Sequence, residues 1–529
     1  MIAVADEPFD VIVVGAGPNG LTCAAYLSRA GARVLVLEKR FRWGGTLDTD
    51  DYSTPFHYNV CQYVLPLGRD LPPYQDLELD KLGVRLLEPD PPAAFVPRGG
   101  GDPLVVRRDG TGIGELREML DAVDRAVPPL LYAPPAPVEE VERALEQDEG
   151  KRALELARLT PQNLSETVRD ERAAGLLRYL CGLAGFDGGD EPLGLMGAFA
   201  LARLLRPTVV VGGSKTLANA LFRAGATAGA QYRAVADVQL IAAGGSGDLR
   251  VACRDGREFT ARAVVSTLDP KTTFLDLLRG GVVPDDIRQA AERWRLDRTG
   301  PFTGHFGIKG EPPRLATEKA TRALVQVVGF ENASAVAEHL EEAGSGRLPA
   351  STAGHLTVTT LHDPTQAAPG PYGPLHTLRF QTMAPYENPK GAWDRKRSEY
   401  RSRCWDFVAR HTVGLDQARL LFAFADSPWD IERRFYTTRN GSVRQGALVR
   451  DQTFAARPHP DCSGTRTPIE GLYLAGGGVH PGVPGSLGGG YNAARAICGD
   501  LGLERWWPEP ASVQRAREAG LLPEPTVAR

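Results

Sequence analysis

The run Val11-Ile12-Val13-Val14-Gly15-Ala16-Gly17-Pro18-Asn19-Gly20 leaves the chain little choice about its opening. An apolar strand feeds into glycines spaced G-x-G-x-x-G. A helix pattern with Leu21, Ala24, Ala25 and Leu27 inward follows, and Gly31 stops it. A second strand, RVLVLE, closes a β-α-β unit at Glu38. The glycines differ in what they permit. Gly15 allows the tight turn, Gly17 lets a pyrophosphate approach the backbone, and Gly20 lets helix and strand touch. The helix N-terminus beside Pro18 and Asn19 stabilises the anion. Glu38, followed by Lys39, stands where a carboxylate accepts hydrogen bonds from an adenosine ribose, and its charge repels a 2′-phosphate. These residues predict a Rossmann-type dinucleotide site that disfavours NADP, with FAD and NAD both open.

At 529 residues the chain is too long for one core, so about two to four domain-sized units are expected. A formal charge of −4 offers no basic field for nucleic acid. Seven cysteines, with no C-x-x-C pair, argue against a disulfide framework, a zinc ribbon or a dithiol redox site. The first strand begins near Phe9, and no apolar run approaches the ~18 residues that span a bilayer. The expected location is the cytoplasm, with at most a peripheral membrane contact.

Between Gly110 and Pro207 the pattern turns helical, in runs such as LREMLDAVDRAV and ERAAGLLRYLCGLAG. Strands return in QYRAVADVQLIAA, LRVACRDG and EFTARAVVSTLDP, and from 271 to 467 strands and helices mix. A mixed sheet covered by helices is the simplest solution for that stretch. A final strand, GLYLAGGG, runs into glycines and a small-residue helix. No period of 20 to 50 residues recurs, which excludes solenoids and propellers.

Two features decide between FAD and NAD. Arg42-Trp43-Gly44-Gly45-Thr46 follows Glu38 closely enough for the chain to pass beside an extended pyrophosphate, and a second glycine set, Gly476 to Gly490, lies at the opposite end of the sequence. With VIVVGAGPNGLTCAAYLSRAGARVLVLEKRFRWGG, GGSKTLANALFRAGATAGAQYRAVADVQLI, FTARAVVSTLDP, LHDPTQAAPG, WDIERRFYTTRNGSVRQGAL and TPIEGLYLAGGGVHPGVPGSLGGGYNAA in order, the chain resembles the phytoene-desaturase-like flavoproteins of the amine-oxidase and carotenoid-desaturase superfamily. The resemblance implies noncovalent FAD and an α/β fold. In it, a discontinuous FAD-binding domain (8–110, 206–270, 466–505) interleaves with an α+β substrate domain (111–205, 271–465), and 506–529 form a tail.

Carried over, Gly15, Gly17, Pro18, Asn19 and Gly20 hold the pyrophosphate, Glu38 and Lys39 the ribose side, and Arg42, Gly44, Gly45 and Thr46 the crossing chain. Val238 meets the adenine through its backbone, Gly476 and Gly477 approach the pyrophosphate, and Gly482, Val483 and Pro484 lie near the flavin ring. Where relatives often read HPGGGV this chain has His480-Pro481-Gly482-Val483-Pro484-Gly485. That turn is stiffer and bulkier, and it implies a narrower flavin-side wall.

His480 is the acid/base candidate, because imidazole titrates near neutrality and its motif sits by the flavin; the alternative is that it bonds a carbonyl and shapes the turn. Asn59, in FHYNVC, either bonds ring or substrate or forms a turn. Cys61 reads as a buried structural thiol rather than a covalent flavin tether. Glu432, Arg433 and Arg434 read as a helix end or ion pairs, and Met196, Phe199, Ala200 and Leu204 as core packing rather than a lipid-facing opening. His305, His355, His362 and His376 lack metal-ligand spacing, so no metal is assigned.

The expected function is an FAD-dependent dehydrogenase or desaturase that moves hydride from a largely apolar small molecule to flavin N5, with dioxygen or a quinone as acceptor. The alternatives are an amine or amino-acid oxidase using dioxygen, and a non-catalytic flavin-bearing scaffold.

Overall fold

A computed structural model describes residues 8–523 apart from 52–53, 62–63, 147, 245–246, 280, 316, 370–372 and 417–418. Two seven-stranded sheets organise the described residues. In the first, Phe9–Val14 lies centrally, parallel to Val34–Leu37 on one side and to the end of Glu258–Ser266 on the other. Gln231–Arg233 and Leu472–Leu474 extend this parallel set, and the hairpin of Val238–Ala243 and Leu249–Cys253 continues it antiparallel. The central strands read VIVV and VLVL because both of their faces are covered. Val11 and Val13 join the core under the helices, while Ile12 and Val14 face Phe274 and Ile287.

The helix Pro18–Arg29 begins with proline at its first position and buries Leu21, Ala24, Ala25 and Leu27 as the periodicity predicts. It packs against Ser214–Thr227 and against Gly488–Leu501 from the other end of the sequence. Trp506 Nε1 donates to the carbonyl oxygen of Tyr26 at 3.1 Å, and the Arg29 guanidinium sits 3.8 Å from the Trp506 ring.

The second sheet runs Leu420–Asp426, Thr299–Lys309, Leu375–Pro385, Gly354–Val358, Val325–Val328, Ala93–Val96, Leu104–Val106. It is antiparallel except where Ala93–Val96 lies parallel to Val325–Val328. One face carries Phe302, Phe306, Leu378 and Phe380 beneath Trp393, Trp405 and Phe407 of the helix Trp393–His411. The predicted helices between 111 and 205 form as Leu116–Tyr132, Val138–Leu145, Asp148–Arg158, Glu171–Leu183 and Gly194–Leu205, joined by the short helix Pro161–Glu166.

Two boundaries differ from expectation. Residues 93–106, expected within the nucleotide-binding unit, hydrogen-bond into the second sheet. Short apolar runs such as AAFV suit either sheet, and local pattern does not name the partner strand. Residues 506–523, expected as a tail, are docked: Trp507 is buried among Tyr26 and Tyr491, and the helix Ala511–Glu518 packs on Leu116–Tyr132. Two adjacent tryptophans are too apolar to remain in solvent when a core surface is within reach.

Candidate functional site

The glycine turn is a cradle whose tolerances can be read off atom by atom. Gly15, at φ +99°, takes a conformation that suits glycine, and its N–H donates to the carbonyl oxygen of Leu37 at 2.8 Å. A Cβ at Gly15 would lie 2.3 Å from Thr267 Oγ1, and one at Gly20 would lie 2.0 Å from the carbonyl oxygen of Gly15. A Cβ at Gly17 would meet only Gly45 Cα, at 4.0 Å. Gly15 and Gly20 are therefore bare so that the protein can close on itself, whereas Gly17 is bare toward open space. That is the geometry a closely approaching pyrophosphate requires.

The neighbouring loop is fastened to this turn. Gly44 N–H donates to the carbonyl oxygen of Ala16 at 2.8 Å, and a Cβ at Gly45 (φ +53°) would come within 2.9 Å of Gly17 Cα. Trp43 stacks on Phe222 with centroids 3.9 Å apart. From the far end of the sequence, Gly490 N–H donates to Asn19 Oδ1 at 3.3 Å.

These elements border a cleft of about 660 Å³. Gly15, Gly17, Pro18, Asn19, Glu38, Lys39, Gly45, Thr46, Val238, Gly476, Gly477, Gly482, Val483 and Pro484 all line it. Glu38 accepts from the backbone N–H of Ala16 and Arg40, each at 2.8 Å, and burial raises its carboxyl above the usual range. Lys39 reaches Asp237 at 3.3 Å and lies 4.2 Å from the centroid of Tyr436.

Five expected residues stand elsewhere. Gly20 and Gly44 support the cradle from behind. Arg42 is buried and pairs with buried Asp48 and half-buried Asp51, so it braces the loop. Asn59 accepts from Thr49 Oγ1 and Ser214 N–H and donates to Gln366 Oε1, a buried knot that joins three segments. His480 Nε2 lies 2.8 Å from the carbonyl oxygen of Leu130, and burial pushes its imidazole down to about 4. Buried and neutral, it shapes the turn and does not line the cleft. The ion-pair reading of the 432–434 segment fits Arg434, which holds Asp426 at 3.0 Å, while Glu432 accepts from Asn440 N–H.

Sequence reasoning missed the residues that hold the cleft's far wall. Gln445 accepts from Gly477 N–H at 2.5 Å and donates to the carbonyl oxygen of Thr267 at 3.1 Å, tying the C-terminal glycines to the residue whose hydroxyl donates to the carbonyl oxygen of Val14. Arg457 is fully buried and donates to the carbonyl oxygens of Gly477, Ala447, Gln452, Arg444 and Gly446. Thr267 carried a usable signal, because a polar residue ending a buried parallel strand faces the ligand crevice of such sheets. Gln445 and Arg457 carried none.

A second cavity of about 240 Å³ adjoins the cleft, and Val443, Arg444, Val483 and Pro484 line both. Leu183, Ala184, Ala200 and Leu204 form a helical wall, and Thr303, His355, Arg379 and Gln381 belong to the facing sheet. Ala200 and Leu204 thus look into the protein, and so does Cys61, which lines this inner cavity and not the cleft.

The model of the family "Flavin containing amine oxidoreductase" matches residues 19–323, more than half of the chain. A limonene dehydrogenase subunit of Castellaniella defragrans is 31% identical over 97% of this chain and 98% of its own length. The mouse pyridine nucleotide-disulfide oxidoreductase domain-containing protein 2 is 27% identical over 93% of this chain and 94% of its own. Among solved structures, a putrescine oxidase variant and cyclohexylamine oxidase of Brevibacterium oxydans each share the fold at a TM-score of 0.57 and 16% identity, covering 94% of this chain and 99% and 100% of theirs. A glycine cradle open only at Gly17, a cleft bordered from both ends of the sequence and these matches converge: the chain belongs to the flavin-containing amine oxidoreductase family and is an FAD-dependent oxidoreductase.

Proposed function

We propose that this flavoenzyme is a dehydrogenase of a small, largely apolar molecule held in the inner cavity. The observation that carries the reading is the shared wall: Val443, Arg444, Val483 and Pro484 border both the cleft and a cavity faced by Leu183, Ala184, Ala200, Leu204, Val325 and Met383. Bound FAD supplies the two-electron acceptor for the hydride. The chain's own part is to grip the cofactor through the cleft-lining glycines, Glu38, Lys39, Thr46 and Val238, to exclude water, and to hold the substrate against the shared wall. His480 and Asn59 are given positioning roles only, because Asn59 is spent on buried hydrogen bonds and His480, outside the cleft lining, is tied through Nε2 to the carbonyl oxygen of Leu130.

The similarity to a limonene dehydrogenase subunit supports an apolar substrate. The fold shared with putrescine and cyclohexylamine oxidases supports an amine substrate, but the described lining of the cavity offers a cationic amine no Phe, Tyr or Trp face, and the one carboxylate in it is engaged. Asp297 accepts from Arg444 at 2.9 Å and from Ser442 at 2.6 Å. Among the described residues no helix is long and apolar enough to cross a membrane; the described cysteines form no disulfide, which fits a reducing compartment such as the cytoplasm. The acceptor that reoxidises the flavin is proposed to be a quinone or protein carrier rather than dioxygen.

Anaerobic titration of the yellow holoenzyme with monocyclic monoterpenes and matched primary amines tests the reading. Bleaching by the terpenes, with little hydrogen peroxide formed in air, is expected. Bleaching by the amines alone, with stoichiometric peroxide, overturns it.

A further inference from the structure

Asp297 borders two hollows. It lines the inner cavity, and with Trp294, Leu296, Glu432 and Asn440 it lines a separate groove of about 470 Å³. Asn440 is exposed and Leu296 and Glu432 are half-buried, so the groove meets solvent, whereas Asp297 is 8% exposed. The carboxylate is thus part of the wall between outside and inside. Both of its oxygens are committed to one loop: Oδ2 accepts from Ser442 Oγ at 2.6 Å, and Oδ1 accepts from Arg444 Nε and Nη2 at 3.2 and 2.9 Å.

That loop carries concentrated backbone strain. Of the eleven residues from Tyr436 to Gly446, five have φ between +53° and +148°: Tyr436, Asn440, Gly441, Gln445 and Gly446. Three of them bear side chains, for which this conformation is costly and lasts only where neighbours impose it. The flanks are fastened. Arg439 pairs with Asp269 and Asp276, Gln445 donates to the carbonyl oxygen of Thr267, and Arg457 holds the carbonyl oxygen of Arg444. Between them the N–H groups of Gly441 and Ser442 bond only within the loop, to Thr438 and Arg439. The side chains of Ser442 and Arg444 reach out of it, to Asp297 and, from Arg444, to the carbonyl oxygen of Leu183 at 3.3 Å. A strained stretch held chiefly by one carboxylate is suited to a second arrangement in which that carboxylate lets go.

We propose that the groove is the port of the inner cavity and that Asp297 is its latch. While Asp297 holds Ser442 and Arg444 the port is shut; on release, the Arg444 side chain and the stretch Ser442–Val443 move aside and an apolar molecule passes. This rests on the inner cavity being the substrate site, as proposed above. A latch acts on the barrier and not on the bound state, so weakening it speeds entry and exit by one common factor and leaves affinity alone.

Anaerobic stopped-flow mixing of the yellow holoenzyme with p-cymene, read by perturbation of the flavin absorption band, tests the latch. In Asp297→Asn, which keeps the shape and weakens the hold, association and dissociation both rise at least fivefold and affinity stays within twofold. Leu296→Trp, which narrows the groove, lowers both rates at least fivefold. If Asp297→Asn does not fold, Ser442→Ala takes its place, with both rates raised at least twofold. Unchanged rates in these variants, or a change in dissociation alone, overturn the latch. If neither p-cymene nor the monoterpenes alter the flavin band, the function proposed above is overturned instead. Entry is then read at Ala184→Cys, in the cavity wall, on a Cys61→Ser background, by mass spectrometry of its labelling with methyl methanethiosulfonate. Labelling at least fivefold faster with Asp297→Asn upholds the latch, and equal labelling overturns it.

Discussion

Arg457 donates to the carbonyl oxygen of Gly477 from both Nε, at 2.9 Å, and Nη2, at 2.7 Å. The same guanidinium crowds Gly482, where a Cβ would lie 2.2 Å from Nε. One buried cation thus holds both glycine stretches of the cleft's far wall. It is met by carbonyl dipoles and the face of Trp294, 5.1 Å away. Burial draws it down to about 9, still protonated at neutral pH.

Replacing this fork leaves five buried carbonyls without their donor. Arg457→Met is expected to destabilise the fold by about 3–5 kcal/mol, a loss moderated by removal of a desolvated charge. Urea unfolding followed by intrinsic fluorescence measures it. A loss below about 1 kcal/mol means that the wall holds itself.

Gly17 and Gly20 separate ligand binding from folding. Gly17→Ala places a methyl in open space, so the apoprotein melts within ~2 °C of wild type while flavin affinity drops at least tenfold. Gly20→Ala drives a methyl into the carbonyl oxygen of Gly15 and lowers the melting temperature of the apoprotein itself. Differential scanning fluorimetry with and without added FAD distinguishes the two.

Buried histidines set the acid limit. Burial lowers His480 and His339 to about 4 and His355 to about 3. The unfolded chain, near 6.5, takes up these protons first. Stability is therefore full above pH 6.5 and is lost as pH falls toward 4, at about 1.4 kcal/mol per unit for each group in this window. The melting temperature should fall steeply between pH 6.5 and 4.5 and stay flat from 7 to 8.5. In His480→Gln the acid slope is shallower, and turnover at pH 7 stays within threefold. A hundredfold loss of turnover with the fold intact would make the imidazole catalytic.

Val483 borders both the cleft and the inner cavity, so its side chain is part of the wall between them. Val483→Gly should thin that wall and cost roughly 1–2 kcal/mol through lost burial and added backbone freedom. Steady-state kinetics with substrates graded in width should then show the ratio of kcat/KM for bulky over slim molecules rise at least fivefold. An unchanged ratio means that Val483 does not limit the substrate's width.

What could be read in advance follows the range of the forces involved. Gly15, Gly17 and Gly20 were legible because their constraint is steric and local to one turn, and the helix after them because its apolar positions repeat at 3.6 residues. Val238 and Gly476 were placed through family resemblance. The direction of a polar side chain is not local: His480 turns to Leu130, 350 residues away in sequence, and Asn59 to Gln366, 307 away. Proximity to a motif therefore left two readings open for each, and the structure favours the positioning one. Arg457 has its partners within 20 residues or so, yet nothing in RPHP marks its arginine as a hub, because the irregular turns around it create the carbonyl cluster.

The link between Asn19 and Gly490 also orders events in time. During synthesis the turn at Gly15–Gly20 leaves the ribosome first, but the lid of its cradle is made hundreds of residues later. The nascent chain therefore has no finished place for flavin until the helix Gly488–Leu501 has emerged and docked. Cofactor capture is therefore expected only after this helix has been made, and the yellow colour of a preparation is expected to count chains in which these two segments have met.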